Sequence, residues 1–236
     1  MNQNTAFSPR RAFSLIELIV VIAIIGIIAA YVVPKADQIL RGSTLTQGSN
    51  ILTDQIRLAR DVALSKNIKV EVRFYQYADP EVPGETLGNA STGQYRAMQV
   101  FTVESVVQNN VPTEISLPYN KIEIFPTGIM FNPTATYSSL LNNPNVTAIA
   151  GISEPTKLLL PRGIGSNYNY YSFRFMPDGS TNLAVTSSGT GGPPWFLTIH
   201  NVTDLGYMKG QLPYNFFCLL LDPVSGTTKS YRPVAL

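Results

Sequence analysis

The sequence predicts an α+β protein in which one long, kinked amino-terminal helix packs on a carboxy-terminal antiparallel β-sheet. Three observations predict it. Residues 12–34, AFSLIELIVVIAIIGIIAAYVVP, form an apolar run with a single charge, Glu17. From Lys35 to about Lys66, charged and apolar residues recur at helical spacing, and beyond Asn67 the pattern changes to alternation. The 236 residues carry 17 Lys plus Arg against 15 Asp plus Glu, and charged residues are only 14% of the chain, where about 25% is usual. That length suits one domain with an anchoring element. The net charge of +2 offers no surplus for nucleic acid, so no nucleic-acid partner is expected.

The amino-terminal run comes first. About 20 apolar residues are enough to cross a bilayer as a helix. Arg10 and Arg11 precede the run, which places Met1 to Arg11 on the cytoplasmic side and everything after Lys35 across the membrane. A removable signal peptide would have an apolar region of about 7 to 15 residues and a small-residue cleavage site. Here the run is longer, and Ala29-Ala30-Tyr31 is a poor site. A twin-arginine export signal accounts for Arg10-Arg11, but the positive-inside rule accounts for the same pair. The remaining reading is a permanent anchor, and the residue that bears on it is Glu17. An ionised carboxylate there costs about 2.5 to 3.5 kcal/mol. Either it has a partner, or it lies close enough to the headgroups to stay hydrated.

Ala12-Phe13-Ser14-Leu15-Ile16-Glu17, followed by the apolar stretch through Gly26, resembles the class III signal of type IV prepilins and type II secretion pseudopilins. That pattern is a glycine, then F-[TS]-L-I-E, then a long apolar helix. The resemblance extends to Glu17 at the fifth place after the cleaved bond and Pro34 at the twenty-second. It implies a pilin-like fold, cleavage between Ala12 and Phe13 by prepilin peptidase, and N-methylation of the new Phe13 amine. It also implies a single-pass protein in the lipid of the bacterial inner membrane with its carboxy-terminal domain in the periplasm. An inner-membrane assembly platform would then pass it into a filament of other pilin or pseudopilin subunits. There Glu17 would pair with the amino-terminal ammonium of a neighbour, consistent with the cost of leaving a buried carboxylate alone. Ala12 departs from the family's glycine and adds a methyl group where the enzyme approaches backbone. Slower cleavage, or a peptidase adapted to alanine, is the expected consequence.

Pro34 cannot donate a helical hydrogen bond, and its ring clashes with the preceding turn, so a helix running through it is kinked there. Beyond it, Asp37 with Arg41 and Arg57 with Asp61 stand at ion-pair spacing, and Leu52, Ile56, Ala59 and Ala63 form an apolar stripe. Gly42 and Gly48 each weaken the stretch by about 1 kcal/mol, which permits melting there on assembly. Residues 13–66 would span about 80 Å at 1.5 Å per residue. Four regions follow: a leader, 1–12; a transmembrane and assembly half-helix, 13–34; an amphipathic half-helix, 35–66; and a β-rich globular domain, 67–236.

Two further stretches carry resemblances. Leu58 to Val72 is similar to the helix-to-strand passage of GspH/FimT-type minor pseudopilins, and Phe175-Met176-Pro177-Asp178-Gly179-Ser180 is similar to the F-x-P-D-G-S turn of the same families. The ending from Leu221 to Pro233 resembles the verrucomicrobial pilin-like "cassette protein D" set.

In the globular region, Lys69 to Tyr77 alternates Val70, Val72 and Phe74 with Lys69, Glu71 and Arg73, the pattern of a half-buried strand. Further strands are expected at Tyr95 to Val107, Lys121 to Phe125, Lys157 to Leu160, Tyr170 to Phe175, Trp195 to His200, Phe216 to Leu221 and Thr228 to Arg232, ordered as an antiparallel meander. Hairpins are expected around Pro177-Asp178-Gly179 and Pro223-Val224-Ser225-Gly226. Long polar connections fall at Asp79 to Gly93, Asn132 to Pro155, Ser187 to Pro194 and Asn201 to Pro213, where subunit-specific contacts would vary.

No reactive constellation is visible, so the chain is read as no enzyme, with no cofactor and no metal site. His200, the one histidine, has no acidic or nucleophilic companion in sequence and reads as structural or solvated. Cys218, the one cysteine, lies in an apolar run and reads as a small buried hydrophobe. Gly163-Ile164-Gly165 lacks the further glycine and helix of a phosphate loop. Asp178 has no Asp-x-Asp neighbour for calcium. Asn145 and Asn201 open N-x-T tripeptides, short patterns that recur by chance. Tyr168, Tyr170 and Tyr171 suit either sheet packing or an exposed patch. The function expected is that of a structural subunit of a type IV pilus or a type II secretion pseudopilus. The alternative is a membrane-tethered periplasmic binding module outside any filament.

Overall fold

The computed structural model describes residues 14–80, 82, 84–108, 110–142, 152–153, 159–161, 163–185, 195–202 and 211–233, and within them not the side chains of 31–39, 91, 108, 142 and 152–153. Two compact units divide the chain, Met1–Gly42 and Ser43–Leu236.

One helix, α1 (Leu15–Lys66), runs without interruption through Gly26, Pro34, Gly42 and Gly48. Gly48 is helical in this single chain, and the packing gives a reason for glycine at that position. A Cβ there would lie 3.2 Å from Ile129 Cγ2, so hydrogen is the side chain that lets helix and sheet approach. From Ser43 onward the helix buries one face. Leu45, Leu52, Ile56, Ala59, Val62 and Ala63 are all at most 4% exposed, and they pack on Val70, Val72, Phe74, Val100, Phe173 and Leu197 of the sheet. This is the expected apolar stripe, and helix on antiparallel sheet is the expected fold class.

Asn67, with φ of 53°, turns the chain from helix to sheet. Among the described residues ten strands follow: β1 (Lys69–Tyr77), β2 (Gln94–Gln108), β3 (Val111–Pro118), β4 (Glu123–Ile124), β5 (Ile129–Phe131), β6 (Ile152–Ser153), β7 (Asn169–Phe175), β8 (Trp195–Asn201), β9 (Phe216–Leu221) and β10 (Thr228–Tyr231). Their order is β10-β9-β8-β5-β2-β1-β7, with β3 and β4 on β2, and β6 parallel to β3.

Several expectations are corrected here. The sheet is no meander: β7 crosses over to pair with β1, and one pair is parallel, because side-chain alternation marks strands without encoding their partners. β3, β5 and β6 were not anticipated. The strand expected at Lys121 to Phe125 shrinks to two residues. The one expected at Lys157 to Leu160 begins outside the described residues and ends in a single bridge between Leu160 and Gly165. Pro177-Asp178-Gly179 makes a tight turn closed by the Phe175–Thr181 bridge, and among the described residues 181–185 no paired strand follows it. The turn at Pro223 to Gly226 does join two strands, β9 and β10.

β1 also departs from the half-buried pattern, since both of its faces are covered. Glu71 is 1% exposed and Arg73 2%. The face away from α1 carries a second apolar cluster, with Tyr75, Tyr77, Phe101, Leu160, Ile164 and Tyr168.

Candidate functional site

The residues expected to carry processing, Ala12 and Phe13, lie outside the described residues. The first described feature is the helix start. Ser14 accepts a hydrogen bond from the Glu17 N–H at its Oγ, 3.2 Å away, and thereby caps α1. Ser14-Leu15-Ile16-Glu17 has the S-x-x-E spacing of a capping box, with Glu17 in the first turn, where the helix dipole favours a carboxylate. The S-x-x-E signal is present in the sequence, where it overlaps the prepilin-like motif. Pro34 lies within α1, and its side chain is outside the described residues.

Beyond the cap the helix is apolar on every side and uncovered. Leu15 is 77% exposed, Ile16 70%, Leu18 61%, Ile22 58% and Ile28 57%, and no residue from Ser14 to Ala30 is buried. A helix hydrophobic all round belongs inside lipid or inside a bundle of helices. Among the described residues no helix is long and apolar enough to cross a membrane. The described side chains stop at Ala30, and the sequence carries the apolar run on to Val33.

The other end of α1 is held by two turns that lie far apart in sequence. Gly179, in the turn after β7, abuts Leu64; a Cβ there would be 3.0 Å from Leu64 Cδ2. Arg60 Nε donates to the carbonyl of Ser225, in the turn between β9 and β10, at 3.1 Å. The turns also touch each other, for a Cβ on Gly226 would stand 2.0 Å from the Gly179 carbonyl oxygen. The two turn stretches singled out in sequence therefore form one corner against the last turns of α1. Asp178 and Asp222 shape these turns by accepting bonds from Ser180 and Ser225, and those hydroxyls hold both carboxyls below the usual range.

A layer of charge lies on the sheet face away from α1. Glu71 Oε1 accepts from Arg73 Nε at 2.6 Å, and its Oε2 from the Ser116 hydroxyl at 2.8 Å. Glu114 bridges Lys69 and Arg174, at 2.6 Å to each. The Arg73 guanidinium lies between the rings of Phe101 and Tyr170, 4.1 and 4.7 Å from their centroids. The bond from Lys69, helped by Arg174, holds the Glu114 carboxyl below its usual range against the opposing effect of burial.

The remaining single residues are structural. His200 is fully buried, with Nε2 3.1 Å from Asn132 Nδ2 and Nδ1 2.9 Å from the carbonyl of Asn201. Cys218 corrects its reading, since it sits on the half-exposed face of β9 rather than in the core. The alternation of β9 puts Phe217, Leu219 and Leu221 inward instead. Tyr168 and Tyr170 pack around Tyr75, and Tyr171 against Tyr95, which favours sheet packing over an exposed patch. Asn201 is 7% exposed, and Asn145 lies outside the described residues. Among the described residues no group of His, Cys, Asp and Glu could hold a metal ion.

Residues 7–33 match the family described as the prokaryotic N-terminal methylation motif. Among solved structures, the chain is similar to the minor pseudopilin EpsH from the type 2 secretion system of Vibrio cholerae, at 10% identity and a TM-score of 0.36 over 81% of this chain and 98% of that one. No curated protein matches the chain.

Proposed function

We propose that this type IV pilin-like chain, with an N-methylation motif at its head and a helix packed on an antiparallel sheet behind it, is a structural subunit assembled through its amino-terminal helix. Prepilin peptidase cuts between Ala12 and Phe13, the Phe13 amine is methylated, and the helix waits in the inner membrane with the globular unit in the periplasm. An assembly platform then moves it from lipid into contact with the helices of other pilin or pseudopilin subunits, in a type IV pilus or a type II secretion pseudopilus. Glu17 pairs with the terminal ammonium of a neighbour.

The observation that carries this reading is the helix from Leu15 to Ile28, apolar on all sides and uncovered, with one carboxylate at its head. Lipid and a helix bundle satisfy the apolar surface equally, so exchange between them costs little, and the carboxylate supplies the preference for the bundle. Intact mass and amino-terminal fragmentation of the protein from its native membrane test the processing step. The expected chain starts at Phe13 with one added methyl group. A chain starting at Met1 or Asn2 supports a tethered module instead, and a start beyond Ala30 means a removable export signal. In the same membranes Glu17→Ala is expected to insert and be cleaved but to be missing from sheared or pelleted filaments; its normal incorporation would refute the pairing.

A further inference from the structure

The strand β7 ends the sheet on one side. Its Ser172 and Arg174 face away from α1, opposite Arg73 and Glu71 of β1 in the antiparallel register. Both are buried, Ser172 at 1% and Arg174 at 5% exposure. Arg174 gives Nη1 to Glu114 at 2.6 Å. Its Nε and Nη2, and the neighbouring Ser172 Oγ, are buried with no hydrogen-bond partner. The nearest carboxylate to that edge is Glu71, whose Oε2 lies 3.7 Å from Nη2, beyond hydrogen-bond length. Glu71 is kept there by Ser116 on the same oxygen and by Arg73 on the other.

Three buried donors without a hydrogen bond on one face of one strand are unusual, since most buried polar groups are bonded and each that is not costs about 1 to 3 kcal/mol. Their arrangement is also specific. Nε and Nη2 lie side by side on one edge of the guanidinium, the edge that takes both oxygens of a carboxylate in two parallel bonds. A hydroxyl two residues away on the same strand face adds a third donor.

We propose that this spot binds a small carboxylate anion, of the size of formate or acetate, held bidentately by Arg174 Nε and Nη2 and by the Ser172 hydroxyl. Burial restricts it to short acids that enter past the partly exposed Lys69 and Glu114. Bound there, the anion completes the polar layer that ties β7 to β3 through Glu114. The proposal is independent of the assembly reading, because neither residue belongs to the helix that carries it.

The experiment is a titration of the full-length chain in detergent micelles at neutral pH with carbon-13 formate, following the broadening of its resonance. Saturable broadening is expected, displaced by acetate and untouched by chloride at equal ionic strength. Arg174→Lys keeps a cation facing Glu114 but removes the fork, and is expected to weaken binding about tenfold or more, as loss of a charged hydrogen bond would. Ser172→Ala retains the fork and is expected to weaken binding less, which keeps the test open should the lysine variant fail to fold. No saturable broadening, equal binding in Ser172→Ala and the wild type, or displacement by chloride as effective as by acetate would each overturn the proposal.

Discussion

The carbonyl of Pro223 accepts both the backbone N–H of Thr181, at 2.8 Å, and its hydroxyl, at 3.1 Å. Thr181 follows β7 and Pro223 follows β9, so the bond joins chain from the two sides of the sheet, over the last turns of α1. With Arg60 reaching Ser225 and Leu64 lying under Gly179, helix, first turn and second turn lock in one place.

Gly226 is the tightest point of that corner, with φ of +63° and the Gly179 carbonyl where a Cβ would go. Gly226→Ala is expected to cost about 3 kcal/mol, combining overpacking with a positive φ for an L residue. Gly163 also has a positive φ, +75°, but open space around it, so Gly163→Ala should lose only about 1 kcal/mol. Denaturant midpoints of the two variants in micelles check the difference.

Glu71 is shared by Arg73, Ser116 and the approach of Arg174. Glu71→Leu therefore strands buried cations, and a loss of about 3 to 5 kcal/mol is expected. Lys69, with its side chain 39% exposed, belongs to the same layer at its wet rim, and Lys69→Met should cost less than about 1 kcal/mol. Equal losses in thermal unfolding would contradict the burial of this face.

Glu114 titrates below its usual range in the folded state because of Lys69 and Arg174. A depressed carboxyl stabilises the fold above its unfolded value, about 4.3, and that stabilisation disappears as pH falls through the lower folded value. Wild type is expected to lose stability on acidification below about pH 5, with amide exchange in β3 rising first. Glu114→Gln should start less stable at neutral pH and show a shallower acid limb.

Ser14 caps α1 by accepting from Glu17. Ser14→Ala is expected to lose about 1 kcal/mol of local helix stability, and Ser14→Asp to retain it. Amide exchange at Leu18 and Ile19 in micelles reads this out, with exchange beyond Leu52 unchanged.

How much of this was visible in the sequence depends on how local each signal is. The apolar run, the stripe from Leu52 to Ala63 and the limits of β1 and β9 are properties of neighbouring residues, and they match the structure. The outer face of β1 did not read correctly, because Lys69, Glu71 and Arg73 are residue types that alternation assigns to water. What buries Glu71 and Arg73 is supplied from afar: Ser116 on β3, Arg174 on β7, and the rings of Phe101 and Tyr170. The cap at Ser14 is legible as S-x-x-E, though it lies inside a longer motif. The meeting of Gly179 with Gly226 was not legible at all, since nothing in either turn names the other, although both stretches stood out individually.

The corner at Thr181 and Pro223 also sets an order of events. A fold closed by a contact between residues 42 positions apart, and by another between Arg60 and Ser225, 165 apart, is rich in distant pairings, and such chains fold slowly. A nascent chain can form α1 and the β1–β2 pair early, but the seat of the helix stays open until the turn after β9 emerges. The turn at Pro223 to Gly226 is thus a late keystone, since helix, first turn and sheet edge meet only once it is in place.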